Sequence, residues 1–295
     1  MSTVRTYVPS GRFSSHALVT VPLLGILLGA LLATAYAYLT LYLPIVGVVT
    51  FLLTGGVGLL LGMGLSALLH RGKVRNRMLG LALGLFVALV TFYVQWAVWS
   101  YALLRRDDVD VSFLALLLQP WALWDVITVV NQHGAWSLKG ATPTGGVLWA
   151  LWAVEGLILV GLPTFLALAS VDTPYCEACE SWCGETKGVR VTDVPADGEA
   201  TVLALAERDD VAALSALGVS HEGTPFLRWD LHACGCGETS TLCASKVTPT
   251  VDKQGKPGEE TTLWLSHWLL QKSQASSVRV GMPRTAQDEV VLSHG

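Results

Sequence analysis

The sequence predicts a membrane protein in two parts, an all-α transmembrane unit of four helices followed by a small α+β soluble domain. Three observations predict it. Of the 295 residues, 52% are hydrophobic and only 14% charged, with a mean hydropathy of +0.51, whereas an ordinary soluble domain carries about 25% charged residues. Four apolar runs, 18–43, 45–69, 78–104 and 147–169, are each long enough to cross a hydrocarbon core, which takes about 20 helical residues. All six cysteines, Cys176, Cys179, Cys183, Cys234, Cys236 and Cys243, follow the last run.

Residues 1–17 read as a cytoplasmic arm. Its Arg5 and Arg12 precede an apolar run as in a signal peptide, but that run is far longer than a signal's apolar region and no small-residue cleavage site closes it, so a retained anchor is expected. The transmembrane unit fills 18–170. Pro44 separates its first two spans with almost no loop, which predicts a tight antiparallel hairpin. Glycines recur four residues apart in Gly25/Gly29, Gly58/Gly62 and Gly80/Gly84, letting helix backbones approach closely in lipid. Simple packing is the preferred reading over a dedicated dimer face, and homo-oligomerisation stays open.

Orientation follows from loop charge. The arm and the second connection, with Arg71, Lys73, Arg75 and Arg77, are basic and expected in the cytoplasm. The third connection sets Arg105, Arg106 and Lys139 against Asp107, Asp108, Asp110 and Asp125, which fits the outer side. Trp96, Trp99, Trp121, Trp124, Trp136, Trp149 and Trp152, seven of the eleven tryptophans, gather at that outer level, as an aromatic belt would. Four crossings return the C-terminal domain to the cytoplasmic face of a bacterial inner membrane. Segment 112–130 is almost long enough to span, yet Gln119, Pro120 and Asp125 interrupt it, and a mid-membrane charge is costly. An interfacial or re-entrant helix is expected there; were it a span, the cysteine domain would lie outside.

Glu155 is the only acidic residue within the four spans. Counted inward from the outer helix ends, Glu155, Gln95, Thr34 and Thr54 lie eight or nine residues deep, about 12 to 14 Å at 1.5 Å per residue. This predicts a polar layer. An intramembrane carboxyl is a functional candidate by default, set here against a protonated Glu155 that hydrogen-bonds Gln95 and merely holds helices together.

The soluble domain, 173–272, should hold two short helices between Asp197 and Gly218 and strands over 226–233, 241–250 and 261–266, the last two joined by the turn signal Asp252 to Gly258. Residues 273–295 read as a flexible tail. From Thr173 onward there are 10 Lys+Arg against 17 Asp+Glu, a net of −7, so nucleic acid, which calls for a basic face, is not the expected partner.

Two cysteine clusters, the first opening Cys176-x-x-Cys179, are how a tetrahedral thiolate site is assembled from two knuckles. The expected ligands are Cys176, Cys179, Cys234 and Cys236, with Cys183, Cys243 and His232 in reserve. On the reducing side of a membrane stable disulfides are disfavoured. Scattered thiols, a redox dithiol at Cys176 and Cys179, or disulfides under inverted topology are the competing readings. The arrangement resembles a zinc ribbon, with Cys234-Gly-Cys236 in place of a second Cys-x-x-Cys, and the resemblance implies a structural zinc ion. The tyrosine-rich first helix ending at Pro44, Trp121-Ala-Leu-Trp-Asp125 and Trp152-Ala-Val-Glu-Gly156 together resemble uncharacterised bacterial four-helix membrane proteins with such a C-terminal domain, which implies topology and no activity.

Enzyme signatures are missing. There is no Gly-x-x-x-x-Gly-Lys-Ser/Thr and no Gly-x-Ser-x-Gly, and His221-Glu222 lacks a histidine four residues on. The expected function is therefore non-enzymatic, presentation of an acidic, zinc-stabilised cytosolic domain to a protein partner. The alternative is a small transporter or channel component that uses Glu155.

Overall fold

The structure, a computed structural model, describes residues 4–42, 48–134, 136, 142–218, 224–251 and 255–280. The Pro44 connection, Lys139, His221 and Glu222, the first part of the Asp252 turn and residues 281–295 lie outside the described residues. The chain forms two compact units, Ser10–Asp172 and a second built from Met1–Pro9 with Thr173–Gly295.

Helices α1 (Ala17–Tyr42), α2 (Val48–Arg71), α3 (Arg77–Arg106) and α6 (Gly145–Val171) make the first unit, and all four are long and apolar enough to span a membrane. Helix α1 packs on α2 and α3, while α6 packs on α2 and α3. The glycine pairs sit at these contacts. A Cβ on Gly25 would press Val87 at 3.1 Å, one on Gly58 would lie 3.3 Å from the Ile158 carbonyl, and one on Gly84 would meet the Ala167 Cβ at 2.8 Å. The small residues thus serve packing within the chain's own bundle. Polar clamps add to it, because the Ser66 hydroxyl donates to the Leu166 carbonyl at 3.1 Å and His70 Nε2 reaches the Ser170 carbonyl at 2.9 Å; interhelical bonds of this kind contribute about 0.6 to 2 kcal/mol in a bilayer.

The two basic segments belong together. Gly11 N–H donates to the Arg75 carbonyl at 3.1 Å and Arg75 N–H to the Arg12 carbonyl at 2.8 Å, so the start of α1 and the α2–α3 connection share one side of the helix layer. Asn76 caps α3 by accepting the Leu79 N–H at 2.9 Å.

Segment 112–130 is two helices rather than one. Pro120 cannot donate a backbone hydrogen bond to a preceding turn, and the chain breaks there into α4 (Phe113–Leu118) and α5 (Pro120–His133). At 6 and 14 residues, neither reaches the roughly 20 residues that a span requires. Trp121 and Trp124 are exposed, while Leu116, Leu123 and Ile127 face inward.

The second unit is a four-stranded antiparallel sheet in sequential order, β3 (Gly184–Asp193), β4 (Phe226–Ala233), β5 (Ser240–Val251) and β6 (Pro257–Leu269), with a small hairpin of β1 (Tyr175–Cys176) and β2 (Ser181–Trp182). Period-two alternation sends Leu227, Trp229, Leu231 and Ala233 of β4 to one face, where they form the core with Leu242, Leu265 and Trp268. Helices α7 (Glu199–Glu207), α8 (Lys272–Val280) and the 3₁₀ turn Ala212–Ala216 cover that face through Val202, Leu205, Leu214, Ala275 and Val278. Residues 273–280, assigned to a tail from the sequence, are thus mostly a core helix: Ala275 and Val278 lie on its buried side.

The N-terminal arm divides between the units. Thr6 bridges Trp268 of β6, Tyr7 N–H donates to the His267 carbonyl at 2.8 Å, Leu269 N–H to the Arg5 carbonyl at 2.8 Å, and Arg5 pairs with Asp209 at 2.5 Å. Residues 4–9 therefore extend the sheet of the C-terminal unit. Both must lie on one side of a bilayer, so the number of crossings between them is even. Four spans satisfy that requirement, and a fifth at 112–130 would violate it.

Candidate metal centre

The β1–β2 hairpin and the β4–β5 turn each present two cysteines. In the first, Cys176 pairs with Ser181, and the chain reverses through Glu180 in the left-handed region, at a φ of +50°. In the second, Gly237 at φ +74° reverses the chain and donates its N–H to the Cys234 carbonyl at 3.1 Å, while Thr239 N–H donates to the Cys234 sulfur at 3.3 Å. Gly237 suits that conformation because it has no Cβ. A Cys-x-Cys loop followed by such a glycine thus does the work of the missing Cys-x-x-Cys.

The four sulfurs of Cys176, Cys179, Cys234 and Cys236 lie within 4.8 Å of one another. Two separations are 3.5 Å, Cys176 to Cys236, and 3.3 Å, Cys234 to Cys236. A tetrahedral site with metal–sulfur bonds of about 2.3 Å has sulfur–sulfur edges of about 3.8 Å, so the observed cage fits such an ion. Cys176 and Cys234 are buried and Cys179 and Cys236 exposed. Burial opposes ionisation of Cys176, but hydrogen bonds from Thr239, Cys179 and Cys234 outweigh it and bring the thiol down to about 6. A bound cation would favour the thiolate form of all four sulfurs.

The reserve ligands separate from this set. Cys183 packs beside Cys176 and Cys234, yet its thiol donates to the Thr239 carbonyl at 3.7 Å, and burial, followed by the neighbouring sulfurs, pushes it up to about 12. It stands against the cage without being one of its four sulfurs. Cys243 and His232 lie with His267 in a different cluster. His267 was not singled out from the sequence.

In the membrane unit the polar layer is partly rearranged. Thr54 is fully buried and shares a 2.8 Å hydrogen bond with the hydroxyl of Tyr36, which is also buried. Gln95 is buried and Glu155 half-buried, whereas Thr34 faces outward and its hydroxyl donates to the Ala30 carbonyl. Thr34 and Tyr36 are two positions apart, which turns them to different sides of α1. Helices α3 and α6 do meet at this depth, with the Trp96 and Trp152 rings 4.9 Å apart and Phe92 against Gly156. Cysteines replacing Gln95 and Glu155 should accordingly be joined by a short bifunctional reagent in membranes; a double variant that inserts normally and does not crosslink would remove the shared layer.

Between α3, α5 and α6 a cavity of about 590 Å³ is lined by Phe92, Tyr93, Trp96, Leu123, Trp149 and Trp152 among others. None of its lining residues is charged. No family model, curated protein or solved structure matches this chain.

Proposed function

We propose that the chain is a non-enzymatic bacterial inner-membrane protein whose four-helix unit presents an acidic, zinc-stabilised cytosolic domain to a protein partner. The convergence of four thiols from two knuckles carries the zinc assignment, because an all-sulfur tetrahedral set suits zinc and closes its coordination sphere, leaving no position for a substrate. A structural rather than catalytic ion is the consequence. The cytosolic assignment is supported by the basic residues of the arm and of the 71–77 connection.

Interaction is supported by the distal half of the β5–β6 ribbon. Residues 249–251 and 257–263 are exposed, although they are hydrogen-bonded to each other from Pro249↔Glu259 to Val251↔Pro257. That ribbon carries Val251 at 71% and Leu263 at 57% exposure beside Glu259 and Glu260. An ordered ribbon with apolar and acidic residues on its surface is suited to a partner with a basic rim and an apolar centre.

A reporter enzyme that is active only in the periplasm, fused after Gly295, should be silent, while a cytoplasm-dependent reporter at the same place should be active. Strong periplasmic activity would overturn the cytosolic presentation.

A further inference from the structure

A second set of ligand atoms lies on the sheet face opposite the hydrophobic core. Glu185 of β3 sits across from His232 of β4, His232 sits across from Thr241 of β5, and Cys243 follows Thr241 on the same face. His267 joins them from β6. One ligand atom each from His232, Cys243 and His267 lies within 4.8 Å of the others. The imidazole rings of His232 and His267 are 4.9 Å apart, and His267 Nδ1 is 3.5 Å from the Cys243 sulfur. That last separation equals the edge of about 3.5 Å between nitrogen and sulfur in a tetrahedral site with bonds of about 2.0 and 2.3 Å.

The backbone is bent to build this arrangement. Leu242 pairs with Trp268 and Ala244 with Leu265, so Cys243 alone stands opposite both Ser266 and His267. This is a β-bulge, a device that re-aims a side chain. At the bulge His267 adopts a φ of +46°, a left-handed conformation that only a few per cent of residues other than glycine adopt. The bulge turns not only the His267 ring but also its N–H onto Cys243, at 3.3 Å from the sulfur, and a donor there favours the thiolate form that binds a metal. His232 adds a second sign, since its buried Nδ1 has no hydrogen-bond partner, while its Nε2 faces Glu185 Oε1 at 4.0 Å. A histidine that ligates through one nitrogen and is oriented by a carboxylate at the other is the usual outer-shell arrangement of metal sites.

We propose that His232, Cys243 and His267 bind a second first-row transition-metal ion, of the zinc or copper class, with Glu185 orienting His232 and the fourth position open. One thiolate with two imidazoles is a donor set these ions accept, and an open position distinguishes this site from the closed four-cysteine cage. The site is independent of that cage, since the two share no ligand.

The test is metal stoichiometry of the full-length protein in detergent, stripped and then titrated with Zn²⁺ alone. Wild type should take up two equivalents. His267→Asn should take up one, with the domain's melting transition retained, because asparagine tolerates the left-handed backbone but is a poor zinc ligand. His232→Gln, which leaves the bulge untouched, should also take up one. In Co²⁺-loaded protein, Cys243→Ala should remove the part of the thiolate-to-cobalt absorption that the His267→Asn variant also lacks. One equivalent in wild type, or two in folded His267→Asn and His232→Gln proteins, would overturn the proposal. Loss of all metal from His267→Asn together with its melting transition would leave His232→Gln to decide in the same way.

Discussion

Cys176→Ser in the full-length protein should release at least one equivalent of zinc and abolish the cooperative melting of the C-terminal unit while the helix unit stays inserted. Cys176 is fully buried, and its sulfur meets the second knuckle at Cys236. About 55 residues separate Cys179 from Cys234, and closing a loop of that length costs entropy that an ion bound at both knuckles offsets. Structural zinc contributes on the order of 10 kcal/mol in small domains, comparable with the 5 to 15 kcal/mol that a whole domain commands. Serine supplies a hydroxyl of similar size but not the thiolate. Cys183→Ser should do much less, because Cys183 donates to the Thr239 carbonyl and is not a member of the cage. Metal analysis and melting of both variants decide the matter: a Cys176→Ser protein with full metal content and an unchanged transition would refute this ligand set.

The parts of the fold that were legible in the sequence are those dictated by local patterns. Lipid leaves a chain few options, so four long apolar runs could be read as four spanning helices. The two cysteine clusters announce their own convergence because metal sites are built from short spacings, and β4 alternates apolar and polar residues from Leu227 to Ala233. Strand β3 was missed because Glu185-Thr-Lys-Gly-Val is polar and is interrupted by a register shift at Gly188, whose N–H donates to the Asp230 carboxylate at 2.8 Å. The His267 contact depends on a bulge and on partners 24 and 35 residues away, and no local signal encodes such an approach. Tyr36 escaped for a different reason. Depth along a helix was counted without its facing, and Thr34, at the predicted level, points away from the bundle. Among the described side chains of helix α8 the buried apolar ones are Ala275 and Val278, set among polar residues, too weak a pattern to distinguish from a tail.

Deleting residues 2–9 should lower the melting temperature of the C-terminal unit by roughly 15 °C, or about 4 kcal/mol for a unit of this size. The estimate follows from what the arm contributes. Its two backbone bonds to β6 and the bond that the Tyr7 hydroxyl accepts from Tyr175 N–H at 3.1 Å are worth about 1 kcal/mol each. Val4, half-buried against the core, contributes about 1 kcal/mol more. The Arg5–Asp209 pair adds little, because the arginine side chain is 55% exposed and exposed pairs contribute at most about 1 kcal/mol. Point variants should resolve these contributions. Tyr7→Phe removes one bond and should cost about 1 kcal/mol, Tyr7→Pro removes the ladder donor and should cost more, and Arg5→Ala should be close to wild type. The same strand carries the topology, since an arm paired to β6 cannot be on the opposite side of the bilayer from the sheet. A deletion that left the melting temperature unchanged would therefore take away both the extra strand and the requirement for an even number of crossings.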